Sequence, residues 1–355
     1  MASEIRPAMR CGYLIAGRCL LIDAQDPWSA KLADNFLRDF YLQPQPASSE
    51  SAGVWQRERP VEGNAVPSYT IRIRSESALP AVPEGLDTFE VAFGHCHVDG
   101  ATYYLEIEDS LIVVGAEGGP NLEIWIGTSA YARQSLSLVN VLSYALEAAL
   151  RRSGLYQLHG AGLSPPNQEM AALFVGESGS GKSTLASLLA VRGWRYLTDD
   201  ALLLAQDGEE VIARGIRKFF AASETTLRAS SLAGLSEALG PPMASDPSKR
   251  RLEPMAAFPE RFIESCKPGV ICFTAVTGQA QSRITPLRAR EAMARLIRSN
   301  PWASYDESTA RDHLRLLSRL VNQCRAYTFD AGLDVLHESA RAEALVSPLL
   351  IDGAA

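Results

Sequence analysis

The sequence predicts two domains, a small β-rich α+β domain followed by an α/β domain. Three observations carry that expectation. Apolar residues alternate with period two between residues 69 and 126, and the period turns helical at residue 135. A glycine-rich loop then separates a short apolar run from a helical stripe between residues 170 and 191.

Within residues 1–134, Tyr13 to Ile22 reads as a hairpin turning at Gly17, and Ala30 to Tyr41 as a short helix. The stretch Gln43 to Ser68 is polar and rich in proline and serine, the composition of an exposed, flexible loop. Beyond it, Tyr69 to Arg74 alternates strictly, and Phe89 to Val98, Tyr103 to Val114 and Leu122 to Ile126 do so more loosely. Asp99-Gly100 and Gly118-Gly119 suit tight reversals between them, so an antiparallel sheet is expected. His95 and His97 share one strand face while Cys96 points away, which leaves two ligands where structural zinc needs four.

Residues 135–153 predict a helix bridging the two domains, with Leu138, Leu142, Ala145, Ala149 and Leu150 on one face and Gly154 past its end. The second domain, residues 154–355, opens with a strand, Gln157 to Leu163, that turns at Ser164 to Asn167. Met170 to Val175 is a buried strand, Ser183 to Val191 a helix and Arg195 to Thr198 a strand. Gly234 to Pro254, which carries Lys249-Arg250-Arg251, reads as a mobile loop able to clamp an acidic substrate or simply to lie in solvent. Val270 to Val276 is a core strand, Glu291 to Arg298 and Ala310 to Gln323 are helices, and Arg325 to Phe329 is a last strand.

Composition bounds the function. With 46% hydrophobic and 21% charged residues over 355 positions, the chain has the balance of a soluble protein. No apolar run reaches the roughly 20 residues of a membrane span, and the N-terminus lacks a signal-peptide layout, so a cytoplasmic location without membrane partners is expected. A net charge of −7 argues against nucleic-acid binding. The six scattered cysteines, with no CxxC pair, read as reduced core thiols. Hydrolase and redox motifs are absent.

The chemistry gathers around Gly176-Glu177-Ser178-Gly179-Ser180-Gly181-Lys182-Ser183-Thr184, a complete phosphate-binding P-loop (Walker A) motif. Its glycines let consecutive N–H groups curl toward phosphate oxygens. Lys182, one of only five lysines, brings a mobile charge to the β- and γ-phosphates, and Ser183 offers a hydroxyl to Mg²⁺. Asp199 and Asp200 end the next strand, on the side of an α/β sheet where ligands bind. Two neighbouring carboxylates push their pKa values apart, which suits one of them to accept a hydroxyl proton. Asp199 reads equally as that base or as an acid organising Mg²⁺; Asp200 reads as the base. His159, alone beside glycines, fits a structural or an active-site role.

Taken together, Leu158-His159-Gly160-Ala161-Gly162, the loop Gly176 to Thr184, Arg192-Gly193 and Trp194 to Asp200 resemble the HPr serine kinase/phosphorylase family, whose more remote relatives are the phosphoenolpyruvate carboxykinases. The resemblance is specific over His159 to Asp200 and follows in outline to about residue 340. It implies an HPr-kinase-like, PEP-carboxykinase-like catalytic domain that uses ATP and Mg²⁺ to phosphorylate a serine of a peptide or small protein. It further implies Gly176 to Ser183 holding nucleotide, Lys182 on the transferred phosphoryl, Ser183 on the metal, Asp200 as base and His159 in the active site. Phosphorolysis, a homo-oligomeric assembly and a peptide-biosynthesis setting are implied by the family alone. Two elements depart from its pattern. Ile212 to Lys218 lacks the metal-reaching glutamate, with Glu209 and Glu210 out of register. The family arginine before a late strand is matched by either Arg261 or Lys267, each a candidate for stabilising phosphoryl charge or a surface cation. HPr itself is therefore not the expected acceptor. A small-molecule kinase and a non-catalytic nucleotide-sensing adaptor are the other readings.

Overall fold

The computed structural model describes residues 9–44, 56–57, 69–91, 93–115, 121–133, 137–223, 226–227, 230–243 and 246–351. It is a mixed α/β protein with several sheets, divided into two compact units, Met1–Leu155 with Ser304–Ala310, and Tyr156–Ala303 with Arg311–Ala355. The division differs from the expected boundaries in two respects: the first unit runs on through the expected bridge to Leu155, and it includes a later segment. A seven-residue piece from late in the chain, Ser304–Ala310, completes the first unit. Most of the expected loop 43–68, the Gly118-Gly119 turn and the start of the expected helix at 135 lie outside the described residues.

In the first unit, β1 (Met9–Ile15) and β2 (Arg18–Ala24) form the expected hairpin, turning at Ala16 and Gly17, both with positive φ. Helix α1 (Pro27–Leu37) starts three residues before the expected position because Asp26 caps it and Pro27 presets its first turn. The Asp26 carboxylate accepts the N–H groups of Trp28 at 2.9 Å and Ser29 at 3.0 Å. Asp26→Ala is expected to cost about 1 kcal/mol, read as faster hydrogen exchange at the first-turn amides of α1.

Two short strands, β3 (Gln43–Pro44) and β4 (Gln56–Arg57), pair with β1. They are followed by β5 (Tyr69–Glu76), β6 (Asp87–Val91), β7 (Gly94–Asp99), β8 (Thr102–Glu106), β9 (Ser110–Val114) and β10 (Asn121–Gly127). The sheet runs β3-β1-β2-β5-β10-β9-β8-β7-β6 and is not purely antiparallel, since β5 pairs parallel with both β2 and β10. The run Phe89 to Val98, expected as one strand, is two strands that reverse at Phe93, whose φ is 76°. His97 is held between Thr88 Oγ1 and Glu106 Oε2, at 2.8 and 2.9 Å. No metal-binding cluster occurs among the described residues.

After the short helix α2 (Thr128–Arg133), α3 (Ser137–Arg152) follows. Residues 135–153 were the expected bridge; in the structure α3 belongs to the first unit. Its face of Leu138, Val141, Leu142, Ala145 and Ala149 packs on the side of the sheet carrying Ile71, Ile73, Ile124 and Ile126. Each such aliphatic side chain contributes about 1.5–3 kcal/mol through burial. At its C-terminal end Arg151 and Arg152 meet Asp306 at 3.1 Å each, and Arg151 also donates to the Tyr103 hydroxyl at 2.9 Å.

The second unit is built on β11 (Tyr156–Ser164), β12 (Met170–Val175), β13 (Arg195–Thr198), β14 (Ala201–Asp207), β15 (Glu210–Gly215), β19 (Ser265–Val276), β20 (Arg283–Leu287) and β21 (Arg325–Ala331). Strands β12, β19 and β21 run parallel, and β11 pairs with β14 through residues 156–159 and with both β12 and β13 through its later residues. The near-continuous apolar character of β12 follows from burial on both faces. Ala172 and Phe174 face one core with Leu185 and Leu188, while Leu173 and Val175 face the other with Leu296 and Leu317.

Helix α4 (Lys182–Val191) and the helix Ser339–Ile351 cover the first face; Ala289–Ser299 and Glu307–Gln323 contribute to the second core. A third sheet, β16 (Phe220–Ser223), β17 (Leu239–Pro242) and β18 (Lys249–Leu252), has β18 in the middle. The expected mobile loop 234–254 is thus corrected. Its basic tripeptide lies on an antiparallel strand, because Leu252 is buried in the α4-side core and anchors the segment. No helix among the described residues is long and apolar enough to cross a membrane.

Candidate phosphate-binding active site

Strand β12 ends at Val175 and the chain curls through residues 176–181 into α4. The geometry calls for glycine at three points of the loop, Gly179 with φ 82° among them. Gly181 caps α4 at φ 92°, in the left-handed region, and a Cβ on Gly176 would meet Ser180 Oγ at 2.6 Å and the Thr274 carbonyl at 2.9 Å. Ser180 Oγ and Thr274 Oγ1 lie 3.0 Å apart, tying the loop to the parallel neighbour β19. The open N–H end of α4 is the natural seat for a phosphate. Lys182 Nζ folds back to donate to the carbonyls of Gly176 and Glu177, at 2.7 and 2.8 Å.

The carboxylates arrive by topology. Strands β13 and β14 both pair with β11, so the chain between them, Asp199-Asp200, crosses beside Gly160, whose N–H donates to the Asp200 carbonyl at 2.9 Å. His159 is the register partner of Ala201, which sets its imidazole against Asp200. Asp200 Oδ1 lies 3.0 Å from His159 Nδ1, and Oδ2 lies 3.0 Å from the Arg217 guanidinium. Burial works to raise the Asp200 pKa. The hydrogen bond from His159 and the charges of Arg217, His159 and Lys182 outweigh it and hold the carboxyl well below the usual range.

Asp199 is fully buried, and its Oδ2 accepts the Ala221 N–H at 2.8 Å. Burial first and the charge of Asp200 second push its pKa up to about 7, with Ala221, Ser183 and Arg217 opposing. The pair is therefore split, Asp200 ionised and Asp199 poised to lose or keep its proton. Lys182 is pulled down by burial, raised by Asp200 and Asp199, and lowered again by Lys249.

Of these groups, His159, Lys182, Ser183 and Asp200 line one cavity of about 290 Å³, while Asp199 is buried and Arg217 is outside the lining. Lys182, Ser183 and Thr184 form its loop end, and His159, Asp200 and Lys249 border its polar side. Val276, Val335 and Leu336 form an apolar wall. Ser223 and Thr226 add hydroxyls, Thr226 bonding Thr184 at 2.7 Å and Ser223 at 2.9 Å. Ser178 and Gly179 also line it.

Mg²⁺ takes oxygen ligands such as hydroxyls and carboxylates. Asp199 Oδ1 is buried with no partner of hydrogen-bonding geometry among the described residues, on the carboxyl group that Ser183 also influences. Ser183 and Asp199 thus fit a divalent cation.

The sign of its pH dependence follows. With the Asp199 pKa raised to about 7, the folded protein keeps a proton that an unfolded chain has lost. Apo stability falls as pH rises from the ordinary carboxylate range through that value. Metal-dependent nucleotide affinity moves the opposite way, gaining up to about tenfold between pH 6 and 8. Calorimetric titration of wild type against Asp199→Asn checks it, the variant keeping only the nucleotide's own pH dependence.

Two expected phosphoryl-stabilising residues lie elsewhere. The Arg261 guanidinium donates to the Ala190 carbonyl at the C-terminal end of α4, and Lys267 pairs with Glu210 beside Met170, at the start of β12. Neither lines the cavity. Arg217 was missed; it lies in the Ile212 to Lys218 stretch that drew notice only for its missing acid. Ser223, Thr226 and the apolar wall carry no local signal, because pairing and packing distant in sequence bring them to α4.

No family model matches the chain, and no curated protein matches it. Among solved structures the chain is similar to the Hpr(Ser) kinase/phosphatase from Coxiella burnetii, at 12% identity and a TM-score of 0.28, with 56% of this chain and 99% of that chain covered.

Proposed function

We propose that the second unit is an ATP-dependent kinase that phosphorylates a hydroxyl, that of a serine in a peptide or small protein. The observation that carries this reading is the meeting, in one cavity, of Lys182 and Ser183 at a helix N-terminus with Asp200 and His159, and with Asp199 buried next to Asp200 in sequence. A phosphate-binding site without chemistry has no need of an ionised acid bonded to a histidine at its mouth.

The residues divide the work as follows. The loop amides and Lys182 hold the β- and γ-phosphates. Ser183 and Asp199 would hold Mg²⁺, which neutralises charge on the phosphate oxygens. The acceptor oxygen bonds to the γ-phosphorus as the bond to the β,γ-bridging oxygen breaks, and ADP leaves with that oxygen. The hydroxyl proton passes to the Asp200–His159 pair. Asp200, its Oδ2 on the Arg217 guanidinium and its Oδ1 on His159 Nδ1, accepts the hydroxyl's hydrogen bond and orients the imidazole. With Nδ1–H on Asp200, neutral His159 has its lone pair on Nε2.

The test is peptide mass spectrometry after incubating the full chain and its Asp200→Asn variant with Mg-ATP and a desalted extract of its source cells. Phosphate added to one serine peptide by the wild type alone supports the reading. Transfer to metabolites alone points to a small-molecule kinase. Nucleotide binding without any transfer in either protein refutes catalysis and leaves a nucleotide-sensing adaptor.

A further inference from the structure

We propose that Lys249 is a second ligand of the terminal phosphate, delivered by the three-stranded sheet, and that it makes the site prefer a nucleoside triphosphate over a diphosphate. The inference rests on the loop 176–183 binding nucleotide.

Two of the chain's five lysines, Lys182 and Lys249, reach the same cavity. Like charges brought together in one enclosed space repel, and a polyanion between them reverses the sign of that interaction. Asp200 offsets part of this repulsion at Lys182, and its two oxygens are also engaged by His159 and Arg217.

Position singles out the terminal phosphate. In the β16–β18 ladder Lys249 is the partner of Ser223 and Arg251 the partner of Ala221. Ala221 donates its N–H to Asp199, and both Ala221 and Ser223 line the cavity. Lys249 therefore enters from the side of the carboxylate pair, while Lys182 enters from the loop. A phosphoryl group passing from the loop toward Asp200 travels between them.

The side chain is also aimed rather than loosely tethered. Lys249 and Arg251 share one face of β18. Arg251 lies 4.0 Å from the centre of the Phe219 ring, two residues after Arg217, the guanidinium that contacts Asp200. Arg250, on the opposite face, donates to the Gly240 carbonyl at 3.0 Å. Both lysines are parked on local partners, Lys182 on loop carbonyls and Lys249 on half-exposed Asp246 at 3.3 Å. An ion pair of that exposure yields readily to a stronger anion.

The experiment is calorimetric titration of the full chain, Lys249→Met, Lys249→Arg and Asp246→Ala with Mg²⁺ plus ADP, and with Mg²⁺ plus a non-hydrolysable ATP analogue. Lys249→Met is expected to weaken the triphosphate about tenfold or more and the diphosphate less than twofold, these being the effects of one lost charge-assisted contact. Lys249→Arg retains the preference, and Asp246→Ala keeps or tightens triphosphate affinity. Equal loss for both nucleotides in Lys249→Met, or no loss for either, overturns the proposal while the nucleotide reading stands. If Lys249→Met unfolds, loss of the preference in Lys249→Arg together with weakened triphosphate binding in Asp246→Ala overturns it instead. Failure of the wild type to bind either nucleotide removes the parent reading and this one together.

Discussion

Asp200→Asn is expected to lower phosphoryl transfer by about 10²–10⁴-fold, the usual contribution of a positioned acid–base group. Asparagine keeps the size and one carbonyl oxygen, so the fold around the β13–β14 crossing survives. The carboxylate charge that orients His159 and anchors Arg217 is lost. Nucleotide affinity should hold or rise, because one negative charge is removed from beside the phosphates. Lys182 loses the partner that most raises its pKa, which shifts its titration downward. Single-turnover transfer measured beside equilibrium binding separates the two effects. A variant that transfers phosphate as fast as the wild type would exclude Asp200 from the proton path.

Arg151→Met is the largest expected loss of stability, about 3 kcal/mol, because it breaks a buried ion pair and leaves Asp306 to Arg152 alone. Arg151 is 2% exposed and meets Asp306, 1% exposed, along with Glu147 at 3.5 Å. Burial already raises the Glu147 pKa and Arg151 lowers it, so removing the guanidinium drives that carboxyl further up. Methionine fills the volume without replacing either of the ion pairs that Arg151 makes. Hydrogen exchange should report the destabilisation across β8 and α3, through Tyr103 and Arg151 themselves. Protection equal to wild type at both elements would contradict it.

The strand, loop and helix at 170–191 were legible because every requirement there is local: a glycine where the backbone turns left-handed, an apolar run for a strand buried on both faces, a leucine stripe for α4. Asp199 and Asp200 could be placed at the end of a strand for the same reason, whereas His159 lies inside β11. The first unit's sheet was less legible. Parallel pairing of β5 with β2 and β10 joins residues far apart, and period two says nothing about which neighbour a strand chooses. The reversal at Phe93 was hidden because the alternation continues through it and a bulky aromatic takes the positive φ that a turn glycine would announce. Lys249 was singled out with its basic neighbours, but the strand that carries it was hidden. Proline, serine and charge around it are a loop's composition, and only the burial of Leu252 in the core beside α4 makes the segment a strand. Arg261 and Lys267 show the converse, cations at plausible sequence spacing whose partners lie at the wrong ends of α4 and β12.

The seven residues Ser304–Ala310 impose an order on biosynthesis. Arg151 and Arg152 emerge from the ribosome well before Asp306, the acid that answers both. At about 5–20 residues per second, the 155 residues from Leu155 to Ala310 take roughly 8–31 s to add. Throughout that interval the nascent first unit lacks the carboxylate that joins its two adjacent guanidinium groups, so these ion pairs wait on translation of most of the second. A gene cut at the boundary near residue 155 would make that wait permanent.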